Sequence, residues 1–314
     1  MVMRLNPIVK KDIRVQARSM KIAWGLFAYE AIMALVFFLA MSFFQMENIY
    51  SSTNIYSQIV MLYPVLAVTQ IGILAVVVPI ITASSISGEK ERQTFDIMMT
   101  TSMTPFSIIV GKVTTAMNQG LLFVVAAMPI MALAFVIGGL SWAYLLWFLL
   151  IAMLVSLFSA SIGICCSALC KKSIVSVIMS YGIYIVFIVL TCLPTILYMM
   201  WGYQTAAASM TVGMMVVMLF YLINPVYYLV EFFVWTMTGT SGVYEIFQEI
   251  FDDMNLKIPF GEAVWHYGWM TVSTVLFLFV SFLFLLLAAK KINPISKGRA
   301  KKLAQLELQR RMHG

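Results

Sequence analysis

The residues whose types and spacing could do chemistry are concentrated between positions 84 and 107. Glu89, Glu91, Arg92 and Asp96 stand around Phe95, Met98 and Met99. The three apolar residues fall at i, i+3 and i+4, which is one side of a helix. Gly88 ahead of them is a helix breaker, so Glu89–Met99 reads as a short separate amphipathic helix. Thr104 then suits an N-cap, with Pro105 at the first position of the next helix. An apolar ridge with charged shoulders is equipment for docking rather than for catalysis. It would fit a groove on a partner protein, or lie on a membrane surface.

A second set of polar residues sits inside apolar stretches. Glu30 lies about eight residues into one of them, roughly 12 Å deep. An unpaired carboxylate there would cost roughly 2.5–3.5 kcal/mol, so it must be protonated, paired or facing water. Gln70, Asn118 and Gln119 lie at compatible depths. These four could line a translocation path. They could equally bond one helix to another, at about 0.6 kcal/mol per pair. No grouping of nucleophile, base or metal ligands is visible, so neither catalysis nor a metal is expected. His266 lies among Trp265, Tyr267 and Trp269, which reads as an aromatic belt at a membrane interface. Cys166 and Cys170 share a helix face, but small apolar packing residues are the simpler reading. Ser159, Gly163 and Ser167 form a small-residue ridge that invites close helix contact.

The elements that must position these residues follow from composition. Of 314 residues, 62% are hydrophobic and 11% charged, and mean hydropathy is +0.95. Soluble domains carry about 25% charged residues. The expectation is an all-α integral membrane protein of six transmembrane helices, at 22–44, 59–83, 108–137, 144–170, 174–198 and 264–289. The segment 1–21 is basic and reads as an amphipathic elbow helix preceding a retained first span. Segment 84–107 is the loop already described. Segment 199–263 reads as an outer region of re-entrant or interfacial helices broken near Asn224-Pro225. Within it, residues 245–253 form an acidic amphipathic helix. Residues 290–314 are a basic tail.

Charge bias sets the expected orientation. With both termini inside, segments 1–21, 84–112, 171–173 and 290–314 hold 19 of the 20 Lys and Arg residues, leaving only Lys257 outside. That is the positive-inside pattern. It also argues against a full crossing at 211–237, which would put the basic tail outside. The net charge of +7 is thus an orientation signal and an attraction to anionic lipid. It does not indicate nucleic acid.

The loop resembles that of ABC-2 type transporter permeases. Ser87, Gly88, Glu89, Glu91, Arg92, Thr94, Phe95, Asp96 and Met98 follow the family's pattern, as do Gly111-Lys112 at the entry to the next span. The chain departs from it at Gln93, where glycine is usual, and at Met103, where proline is more common. The opening Asn6–Arg14 run also resembles these permeases. The resemblance implies the membrane subunit of an ATP-driven exporter in a bacterial inner membrane. Glu89, Glu91, Arg92, Thr94, Phe95 and Asp96 would then couple a separate ABC ATPase to the spans, with Phe95 as apolar anchor. The partners implied are that ATPase, a second permease copy or paralogue, and membrane lipid. No phosphate-binding loop occurs in this chain, so ATP and magnesium would belong to the ATPase. A peptide, antibiotic, ion or lipid would all fit as cargo. A secondary transporter coupled through Glu30 is the alternative. A membrane-bound enzyme would need a cluster of reactive residues that the sequence lacks.

Overall fold

A computed structural model describes residues 18–50, 61–95, 104–138, 141–201, 217–253 and 257–292. The expected elbow helix and most of the basic tail lie outside them. The described residues form nine main helices: α1 (Met20–Tyr50), α2 (Leu62–Glu91), α3 (Pro105–Ala126), α4 (Met128–Gly138), α5 (Trp142–Leu169), α6 (Ser173–Trp201), α7 (Pro225–Thr238), α8 (Gly242–Asp253) and α9 (Glu262–Ile292). No strand occurs among the described residues.

Five of these helices are long and apolar enough to cross a membrane: those containing Ile22–Met46, Leu62–Glu91, Pro105–Ala126, Trp142–Leu169 and Glu262–Ile292. This fits a multi-pass membrane protein. In α6, the described apolar stretch is Ser173–Val189. The outer surfaces agree, since Trp24, Phe27, Leu35, Phe38 and Phe43 of α1 all stand exposed. Water would not tolerate so continuous an apolar patch, whereas lipid would.

The sequence expects a single span at 108–137, but two helices stand there. α3 stops at Ala126 and α4 restarts at Met128. Pro129 has no N–H to give to the carbonyl four residues back, so the ladder is interrupted.

α2 and α5 form the centre of the bundle. The ridge of Ser159, Gly163 and Ser167 is buried on α5, and Gly163 and Ser167 face α2. A Cβ on Gly163 would lie 1.9 Å from Thr82 Oγ1 and 3.2 Å from the Ala83 amide nitrogen. Only glycine allows that approach. One turn on, Ser167 Oγ accepts from the backbone N–H groups of Ile86 (2.9 Å) and Ser87 (2.8 Å).

The two ends of the bundle differ in charge. One end gathers Lys90, Arg92, Lys112, Lys171, Lys172, Lys290 and Lys291, and its apolar cluster holds Ile86, Ile109, Ile164, Ala288 and Ile292. The other end carries Glu231, Glu245, Glu249, Asp252 and Glu262, around Met218, Val243 and Trp269. The chain breaks before Asn224 as expected, and Asn224 Oδ1 caps α7 by accepting from Val226 N–H. With 14 residues, α7 spans roughly 21 Å, short of a bilayer's hydrocarbon thickness of about 30 Å. The acidic helix α8 follows where the sequence puts it.

His266 departs from the expected interfacial belt. It is buried, with Nδ1 2.9 Å from Glu231 Oε1 and its ring stacked on Trp235 at 4.3 Å between centroids. A belt residue keeps its polar end in the interface, whereas this one spends a ring nitrogen on a buried carboxylate.

Candidate functional site: the last turn of α2

The docking segment is built differently from the separate helix expected at Glu89–Met99. Gly88 does not end the preceding helix, because one interior glycine costs only about 1 kcal/mol and α2 runs on to Glu91. The stop comes next. Gln93 adopts a left-handed φ of 59°. Its N–H bonds to the Lys90 carbonyl at 3.2 Å, and Thr94 N–H reaches back to the Glu89 carbonyl at 2.9 Å. Those two bonds make a Schellman stop, whose left-handed residue is commonly glycine.

Each of the last three residues of α2 then secures a different helix. Glu89 Oε1 pairs with Lys112 Nζ of α3 at 2.8 Å. Lys90 Nζ donates to three carbonyls at the end of α5: Ser167 (3.2 Å), Ala168 (2.6 Å) and Cys170 (3.1 Å). Those carbonyls have no partner within their own helix, and the positive charge also suits the helix dipole there. Glu91 Oε2 accepts from Ser173 Oγ (2.9 Å) and Ser173 N–H (3.2 Å) at the start of α6. Here a negative charge meets the positive end of a dipole. The Ser173 hydroxyl, then its backbone N–H, hold the Glu91 carboxyl below the ordinary glutamate range, with smaller help from Lys172 and Arg92.

The remaining residues of the segment lie around this clamp. Arg92 is exposed. Thr94 Oγ1 donates to the Glu89 carbonyl at 3.3 Å. Phe95 is half-buried against the apolar cluster of Ile86 and Ile109, and Lys90 Nζ stands 5.6 Å from its ring centroid. Asp96, Met98 and Met99 lie outside the described residues. A groove of about 790 Å³ opens beside the clamp, lined by Ser84, Ser85, Gly88, Arg92, Thr94 and Ser173 along with the two glutamates.

The sequence singles out Glu89 and Glu91, as residues that would couple an ATPase to the spans. That reading passes over Lys90 and Ser173. Their signal was positional, since Lys90 shares the last turn of a span and Ser173 opens the next helix after Lys171-Lys172.

The four intramembrane polar residues do not come together. No hydrogen bond joins any two of them among the described residues. Gln70 is 0% exposed and neither end of its amide has a partner. Gln119 is half-buried, with Oε1 unpartnered, and so is Glu30 Oε1. Asn118 points outward and is exposed. Gln70 is thus enclosed within the bundle, and Asn118 stands on its outer surface.

Among the described residues, no three His, Cys, Asp or Glu side chains are grouped to hold a metal. No protein-family model matches the chain, and no curated protein is significantly similar to it.

Proposed function

We propose that this chain is the membrane subunit of an ATP-driven exporter of the ABC-2 type, with the lysine-rich end in the cytoplasm. The observation that carries the reading is the three-way clamp at the end of α2. A partner pressing on this turn would move α3, α5 and α6 together, because Glu89, Lys90 and Glu91 each secure one of them. Coupling needs such a point, where a local contact is shared among several rigid elements. Gln93 adds support, since the position where the resembling family has glycine is the one with left-handed backbone. On this reading six helices cross the membrane, α6 being the sixth, and ATP is hydrolysed by a separate chain. A second permease copy or paralogue completes the pore, and outward movement follows ATPase closure. Arg92 and Phe95, at the margin of the groove, are the residues nearest that partner.

Copurification tests this. The chain is expressed with an ABC ATPase encoded beside it and captured through its own tag, as wild type and as Phe95→Asp. The expected result is co-elution that the variant loses at unchanged permease yield. Absence of the ATPase from both captures would overturn the reading and favour transport coupled through Glu30, whose buried Oε1 has no partner.

A further inference from the structure

The acidic end of the bundle contains a cavity that the exporter reading does not use. It measures about 310 Å³ and lies between α5, α7 and α9, at the low end of the range for small-molecule sites. Its wall is aromatic, with Tyr144, Trp147, Tyr228, Phe232, Trp235 and Tyr267 contributing rings. Three of its hydroxyls are already engaged. Tyr228 and Thr274 bond each other at 2.9 Å, and Thr271 donates to the Gly268 carbonyl. His266 also lines the cavity, and one of its ring nitrogens remains available.

Glu231 decides which nitrogen that is. Its side chain is 1% exposed. It accepts from Ser241 Oγ (2.6 Å), from Val243 N–H (3.3 Å) and from His266 Nδ1 (2.9 Å). No lysine or arginine pairs with it among the described residues. A second carboxylate stands close by, as Glu262 Oε1 accepts from Ser241 N–H at 2.6 Å. In the neutral ring, a bond from Nδ1 to the carboxylate leaves Nε2 as the acceptor. Nε2 has no partner among the described residues. The cavity thus combines several aromatic faces, the Nε2 of His266, and a buried carboxylate behind that ring with no lysine or arginine against it among the described residues. Aromatic faces attract cations through their quadrupoles, and the acidic surroundings add to that attraction.

We infer that this cavity binds an amphipathic ammonium compound, an apolar body carrying an N–H cation that donates to His266 Nε2 within the aromatic wall. The inference does not depend on an ATPase partner.

The full-length protein in lipid nanodiscs provides the test, with tryptophan fluorescence as readout and empty nanodiscs as blank. The probes are 4-phenylbutylammonium and its uncharged counterpart, 4-phenylbutanol. Wild type is expected to bind the ammonium saturably and at least about tenfold more tightly than the alcohol. Glu231→Gln should weaken the ammonium about tenfold and leave the alcohol unchanged. Trp147→Ala, an exposed wall residue away from the pair, should weaken the ammonium with the fold intact. If Glu231→Gln fails to fold, the two probes on wild type and Trp147→Ala decide the matter. Non-saturable binding to wild type, equal affinity for both probes, or unchanged binding in Trp147→Ala would each overturn the inference.

Discussion

The two ends of this bundle handle charge in opposite ways. At the lysine-rich end, Lys90 and Glu91 keep partial or full contact with solvent and spend their charge on other helices' unpaired backbone groups. At the acidic end, Glu231 and His266 are sealed inside, and each answers the other. An exposed charged group can leave its partner and be rehydrated, so its contacts can be exchanged for a partner protein's. A buried pair has no such alternative. The comparison therefore separates a region suited to being moved from one suited to holding its shape.

The largest expected effect falls on the sealed end. His266→Leu removes the partner of Glu231 and leaves a buried carboxylate with only Ser241 and Val243. Removing a hydrogen bond on which a buried carboxylate depends costs about 3 kcal/mol. A large fall in melting temperature of the purified protein is expected, and Glu231→Gln/His266→Leu should recover part of it by removing the charge. Equal melting temperatures for wild type and His266→Leu would end the distinction between the two ends.

The exposed clamp should respond more mildly. Lys90→Met keeps the length of the side chain and loses three charge-assisted bonds to the end of α5. The expected loss is about 1–2 kcal/mol, since the freed carbonyls can still find water. Hydrogen exchange should speed up around Ser167–Cys170 and stay unchanged at the acidic end. A fall as deep as that of His266→Leu would show that the clamp is as rigid as the buried pair.

Much of this was legible in the sequence, and the failures share a cause. Helix positions follow from apolar runs, and the close approach of α2 and α5 follows from Ser159, Gly163 and Ser167. The break at Asn224-Pro225 and the acidic helix after it are local signals, and they hold. Gly88 is a weak stop signal, because one interior glycine does not outweigh the helix formers on either side of it. The helix passes through it and stops at Gln93, a residue whose type gives no sign of a left-handed backbone. Glu231 and His266 lie 35 residues apart, on different helices, so no spacing rule joins them. Pro129 could have been read, since a proline late in an apolar run is itself a reason to divide it.

Gln93 offers a change of opposite sign at the same clamp. A side chain in the left-handed region costs about 1 kcal/mol that glycine does not pay. The flanking bonds, Gln93 N–H to Lys90 and Thr94 N–H to Glu89, involve only backbone. Gln93→Gly should therefore raise stability by up to about 1 kcal/mol, part of it offset by glycine's greater freedom when unfolded. A small rise in melting temperature checks it, and a clear fall would mean that the glutamine side chain has a role of its own.

The smallest effect separates the exposed carboxylate from the buried one by pH. Ser173 holds the Glu91 carboxyl below its ordinary range. A depressed acid adds stability above its unfolded value, near pH 4.3, and loses it as pH falls through the folded value. Wild type should thus exceed Glu91→Gln slightly in melting temperature at neutral pH, and the gap should close on acidification. Ser173→Ala should shrink that gap at neutral pH, because it removes the stronger of the two bonds and leaves only the backbone N–H. A gap that stays constant down to strongly acidic pH would mean that Glu91 acts through its shape rather than its charge. In that event the contrast between the two ends would be one of burial alone.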